Sequence, residues 1–164
     1  MLTKRHLAHA QGYLELGMLA EAAAELERIA ALDAMSREVC AVRLALLHER
    51  QDWAAARDLA QTLVARTPED AGIWVTWAYA TRRAESLEAA EQILREAERH
   101  HPTEATIQFN LGCYACQRGD LKLARRRVDQ AIALDSKFAA LAATDPDLAP
   151  LRAHGASTDC QPGG

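Results

Sequence analysis

Residues 108 to 121 read QFNLGCYACQRGDL, and two signals overlap in them. Cys113-x-x-Cys116 has the spacing of a redox dithiol or of one half of a zinc site. Asn110-Leu111-Gly112, followed by Gly119-Asp120-Leu121, instead has the look of the turn in a helical repeat. A redox dithiol wants its thiolate at a helix N-terminus, where the dipole lowers the thiol pKa, and a zinc site wants two further ligands. His100-His101 precede Pro102, where imidazoles at the negative end of a helix dipole act as ordinary capping residues. Arg125-Arg126-Arg127 form either a solvated face or a docking patch for an acidic partner. The chain contains no Gly-rich phosphate loop after a strand, no His-Glu-x-x-His and no nucleophile elbow.

Composition narrows the classes that remain. The 164 residues are 49% hydrophobic and 26% charged, with few aromatic or β-branched runs, which describes one helix-rich soluble domain large enough to bury a core. Lys and Arg total 19 against 23 acidic residues, a net charge of −4, and binding to phosphates needs a basic face, so nucleic acid is not the expected partner. No apolar run approaches membrane length, and Gln11, Glu15 and Glu21 interrupt any signal-peptide core, so a cytoplasmic protein without a membrane partner is expected. There Cys40, Cys113, Cys116 and Cys160 stay reduced. The last stretch, HGASTDCQPGG, is small and polar, and residues 153–164 are expected to be a disordered tail.

The elements that must position these residues repeat. Steps of 34 residues align four blocks without a gap: 3–36, 37–70, 71–104 and 105–138. Place twenty holds Ala22, Ala56, Ala90 and Ala124; place seventeen holds Leu19, Trp53, Leu87 and Leu121; Pro68 and Pro102 share place thirty-two. Each block splits into two helical patterns at Gly17, Gln51-Asp52, Glu85-Ser86 and Gly119-Asp120, where Asp and Ser suit the N-cap of a second helix. Thr67-Pro68-Glu69-Asp70 offers a capping Thr and a first-turn Pro before the third block. Small residues at place eight (Ala10, Ala78, Gly112) allow close helix approach, but the second block has Leu44 there. Place seven holds His9 and Arg43 in the first two blocks, read as long side chains snorkelling at a frayed end rather than as a polar contact.

A period of this length, with Leu-Gly or aromatic residues early, Ala in the middle and Pro at the end, resembles the tetratricopeptide repeat family over residues 3–138. Trp74, Trp77, Ala78, Ala90 and Pro102 of the third block and Leu111-Gly112, Gly119-Asp120, Ala124 and Ala131 of the fourth carry the likeness. The resemblance implies an all-α fold: a right-handed α-solenoid of four tandem helix-turn-helix repeats closed by a short C-terminal capping helix over 139–152. The single domain then runs 3–152 and resembles small stand-alone bacterial proteins of the family. Leu141, Leu148 and Leu151 are the residues available to the cap, with Asp145-Pro146-Asp147 as its start and Pro150 limiting its length.

In that family the first helices of successive repeats line a concave groove that takes a peptide or helix of a partner. The likeness assigns to it Lys4, Leu7, Gln11 and Glu15; Ala41, Ala45, His48 and Glu49; Val75, Thr76, Tyr79, Arg82 and Arg83; and Phe109, Asn110, Cys113, Cys116 and Gln117. Such a groove suits an amphipathic helix or an apolar peptide with one or two acidic side chains. The two-carboxylate clamp known in the family is not kept in either frame of three repeats. Cys113 and Cys116 then fall mid-helix as soft groove lining, and His48 lies two repeats from them. The expected protein is a non-catalytic adaptor that binds a protein or peptide, with no cofactor and no metal. Its alternatives are a dedicated chaperone of a secreted or membrane-active client and a self-associating assembly component.

Overall fold

The computed structural model describes residues 2–158, with side chains over 2–154. Ten α-helices follow one another: α1 Leu2–Glu15, α2 Leu19–Glu27, α3 Arg37–Glu49, α4 Trp53–Arg66, α5 Ala71–Ala84, α6 Leu87–His100, α7 Ala105–Gln117, α8 Leu121–Leu134, α9 Phe138–Thr144 and α10 Ala149–Thr158. A 3-10 turn, Pro146–Leu148, joins the last two, and no strand occurs among the described residues. Each helix from α1 to α9 packs on its neighbour in chain order, and the eight helices α1 to α8 form four antiparallel pairs stacked into an α-solenoid.

Local chemistry sets the turns within the pairs. Gly17, Gln51 and Gly119, all at place fifteen, have positive φ (72°, 55° and 84°), so only the second pair asks a non-glycine residue to take the left-handed turn. The next residue caps the second helix: Asp52 accepts from Ala55 N (3.2 Å), Ser86 from Ala89 N (3.1 Å) and Asp120 from Leu123 N (3.0 Å). In the first pair that place is Met18, whose φ and ψ (−86°, 73°) nearly match those of Asp52 and Asp120 but whose side chain makes no cap hydrogen bond. Met18→Asp is therefore expected to raise stability by about 0.5–2 kcal/mol, measured by urea unfolding.

The turns between pairs differ from the sequence expectation. Asp70 caps α5 by accepting from Gly72 N (3.0 Å), while Thr67 ends α4 and its hydroxyl donates to Leu63 O (3.0 Å). Pro68 lies between the helices, and its carbonyl accepts from Trp74 Nε1 and His101 Nε2, both at 2.9 Å. His100 stacks on Trp74 with ring centroids 5.3 Å apart. His101 thus ties the third pair to the turn before it, and His100 packs α6 on α5.

Ala22, Ala56, Ala90 and Ala124 are all buried, as are Ala10, Ala78 and Gly112 at the helix crossings. Leu44 breaks that pattern. α3 and α4 pack least closely of the four pairs, and the apolar core divides there. One cluster holds Ala10, Ala22, Leu26, Ile29, Val39, Val42 and Leu46; the other runs from Val64 to Leu151. A second irregularity lies nearby: α2 stops at Glu27, whereas α4, α6 and α8 each run 14 residues. Arg43 donates to the Leu26 carbonyl (3.4 Å) and Thr3 to Asp33 (2.5 Å), while Leu32 is left 96% exposed.

The end of the array corrects three expectations. Phe138, Leu148 and Leu151 are buried, but Leu141 is 46% exposed and does not serve the cap. Pro150 sits in the first turn of α10, where its missing N–H costs nothing, and does not end the helix. α10 continues to Thr158, so residues 153–158 are helical; Cys160 and the rest of the expected tail lie outside the described residues.

Candidate binding groove

The residues expected to line one groove fall into two zones with different surroundings. On α7 the concave side is covered by the chain's own C-terminal segment. Phe109 packs against Phe138 of α9 with centroids 4.9 Å apart and is 6% exposed. Cys113 and Cys116 are buried in the same core as Leu148 and Leu151. Arg82 of α5 reaches across to Asp147 (2.8 Å) and to Gln117 Oε1 (2.8 Å), with its guanidinium 5.3 Å from the centre of the Tyr114 ring. Phe109, Cys113 and Cys116 are therefore internal and do not line an open surface. Arg82 holds the covering segment, and Asn110 turns its amide back to Thr106 O (2.8 Å).

This burial bears on the chemistry of Cys113. Desolvation, reinforced by Asp145 and Asp147, pushes the Cys113 thiol up to about 12, so no thiolate is present near neutral pH. Burial likewise pushes Tyr114 up to about 12. No group of three or more His, Cys, Asp or Glu side chains suited to a metal ion occurs among the described residues. His48 sits instead beside aromatic rings of α4 and α5.

The second zone, over the first three pairs, is open. Gln11, Ala41, Ala45, His48 and Arg83 are exposed, and Leu7, Val75, Thr76 and Tyr79 are half-buried. His48 is 5.2 Å from Trp53 edge-on and 5.8 Å from Tyr79 in a stacked arrangement, and Trp53 meets Tyr79 at 5.7 Å. Arg83 lies 5.4 Å from the centres of both the Trp53 and Tyr79 rings and donates to Tyr79 Oη (3.1 Å). Trp53 was not among the residues expected here. The available signal was an indole at place seventeen, where the other blocks carry Leu.

Next to this cluster, between α3 and α5, opens a cleft of about 840 Å³ with Cys40, Ala41, Leu44, Leu63, Ile73 and Thr76 among its lining. It lies where α3 and α4 pack least closely, with Leu44 at the place that is small in the other three pairs. Arg37 and Asp70 bridge at its rim (3.0 Å).

Two polar networks lie off the concave side. Arg127 turns inward to pair with Glu98 and donates to Gln108 Oε1 (2.6 Å), while Gln108 Nε2 donates to Glu98 (2.8 Å). Of the arginine triplet only Arg125 and Arg126 face solvent. Glu25 accepts from His6 (2.7 Å) and Arg28 (2.8 Å) and lies 3.5 Å from His9, so His9 has a polar partner on α2 and does not simply snorkel. Burial works against the charge on Glu98, yet hydrogen bonds from Arg127 and Gln108 hold its carboxyl below the ordinary 4.5; the His6 hydrogen bond, helped by Arg28, does the same for Glu25. A depressed folded pKa contributes stability that is present above the ordinary carboxylate value and lost as pH falls through the folded one. The stability gap between wild type and Glu98→Gln should thus be full at pH 6 and shrink below pH 4.5, read from urea midpoints.

Repeated antiparallel pairs with a central column of alanines, one concave side and a terminal helix over the last pair define a tetratricopeptide-type helical solenoid. Solved structures agree on the fold. MamA RS-1 in an ArsTM double-mutant form is 18% identical, covering 82% of this chain and 76% of that one with a TM-score of 0.68. TTC0263, a thermophilic TPR protein of Thermus thermophilus, is 22% identical over 94% of this chain and 89% of that one, TM-score 0.66. MamA AMB-1 in the P212121 form is 13% identical over 98% and 93%, TM-score 0.62. No protein-family model and no curated protein matches the sequence.

Proposed function

We propose that the chain is a non-catalytic scaffold that binds a segment of a partner protein on the concave side of its first three helix pairs. The observation that carries this reading is the convergence of His48, Trp53, Tyr79 and Arg83 on an open concave surface beside an apolar cleft. Aromatic rings and a guanidinium are the groups that dominate protein-binding energetics. The raised Cys113 thiol supports a role without redox chemistry, and the net charge of −4 favours protein over nucleic acid as the partner. No helix among the described residues is long and apolar enough to cross a membrane, and we assign the chain to the cytoplasm.

The test is a Tyr79→Ala, Arg83→Glu variant beside wild type. It should weaken a genuine partner by at least about tenfold while leaving helicity unchanged, because Arg83 is exposed and Tyr79 is only half-buried, outside the two buried cores. An unchanged affinity sinks the groove assignment. Arg82 is left native here: reversing its charge would break the contact with Asp147 and disturb the segment over α7.

A chaperone for a secreted or membrane-active client is the second reading, favoured by the cleft, which could cover an apolar stretch of such a client. Self-association is the third. It is favoured by exposed Leu2 and Leu16 at one end of the array and Leu134 and Leu141 at the other.

A further inference from the structure

We infer that the open zone reads its partner through a carboxylate side chain seated on Arg83 and a bulky apolar side chain placed in the cleft beside Thr76, about three residues away in an extended segment. This deepens the scaffold reading and rests on it.

Arg83 is held in a way that prepares it for an anion. Its guanidinium lies against two rings and is steered by the Tyr79 hydroxyl, so little side-chain freedom is left to lose on binding. No carboxylate stands within ion-pair distance of it among the described residues, whereas its neighbour Arg82 is paired with Asp147. Glu49, the nearby acid, lies instead 3.9 Å from His48.

The chain itself pairs the same two chemistries on the adjacent surface. Asp147 meets Arg82 at 2.8 Å, and the next residue, Leu148, is 1% exposed against the core of the fourth pair. A guanidinium projecting from α5 and an apolar seat beside it hold the Asp-Leu step of the 3-10 turn there. The open zone offers the same two elements, with Arg83 for Arg82 and the cleft for the Leu148 seat. Thr76, at the edge of the cleft, and Arg83 are two turns apart on α5, a separation of about 10 Å along the axis. In a polyproline II segment, which rises about 3.1 Å per residue with three residues per turn, side chains three apart share a face and span about 9 Å, which gives the spacing of about three.

The experiment pans a random octapeptide display library against the full-length chain. Enriched peptides should carry Asp or Glu with Leu, Ile, Met or an aromatic about three positions away. For one such synthetic peptide, Asp→Asn should weaken binding to wild type about tenfold, as expected for a charge-assisted pair, and should change binding to Arg83→Gln about twofold at most. Enrichment without an acidic preference, or an Asp→Asn loss that is equal in both proteins, overturns the carboxylate assignment and leaves the scaffold reading standing. Failure to enrich any peptide overturns both.

Discussion

Leu148→Ala should lower stability by about 2–5 kcal/mol and open Cys113 and Cys116 to thiol reagents. Leu148 is among the largest fully buried side chains, and it is supplied by a three-residue 3-10 turn rather than by a repeat helix. Removing most of its side chain leaves a cavity under a segment whose other fixed points are few: Phe138 on Phe109, Leu151 in the core and Asp147 on Arg82. The concave side of α7 then loses its cover. In a solenoid each unit is held mainly by its neighbours, so the effect concentrates on the fourth pair and fades toward the first. Urea unfolding measures the loss, and the rate of labelling by a maleimide at pH 7.5 in a Cys160→Ser background measures the opening. Cys40, buried in the second pair, serves as the internal reference. Unchanged protection of Cys113 and Cys116 would mean that something other than the C-terminal segment shields them.

Gly112→Leu should cost about 1–3 kcal/mol or more through overpacking, although glycine in mid-helix is itself about 1 kcal/mol worse than alanine. A Cβ at this position would stand 2.9 Å from Val128 Cγ2 and 3.3 Å from the Val128 backbone nitrogen, so a larger side chain must push α7 and α8 apart. Those two helices are the most closely packed in the molecule, and α7 buries residues on nearly its whole surface. Leu44 occupies the same place in the second pair, where α3 and α4 pack least closely and a cleft opens beside them. A Val128→Ala partner change should recover part of the loss, and urea unfolding of the single and double variants checks both statements. A Gly112→Leu protein as stable as wild type would contradict the close approach.

Much of the fold was legible because its signals are local. Gly17, Gly119, Asp52, Ser86 and Asp120 mark turns by their own backbone and capping preferences, and the alanine column marks where helices touch. Leu44 was equally readable as a misfit. The path of the chain after Phe138 was not legible, because it depends on contacts such as Arg82 with Asp147, 65 residues apart. For the same reason three groove positions on α7 turned out to be covered. The inward turn of Arg127 depends on Glu98 and Gln108, and the position of Trp53 on Tyr79 and His48, none of which a repeat register encodes. The early end of α2 carries no glycine or proline at its stop; contacts from Arg43 and Thr3 hold the turns that follow.

The most direct test of the scaffold reading places a photo-crosslinking amino acid at Ala45, at Thr76 or at Arg125 and irradiates each protein in a lysate of the native organism. Ala45 is exposed on α3, Thr76 lines the cleft from α5, and Arg125 is exposed on α8. The account predicts that the same partner is captured from Ala45 and Thr76 and not from Arg125. Capture from Arg125 with silence at both groove positions would contradict it and move the binding surface to α8.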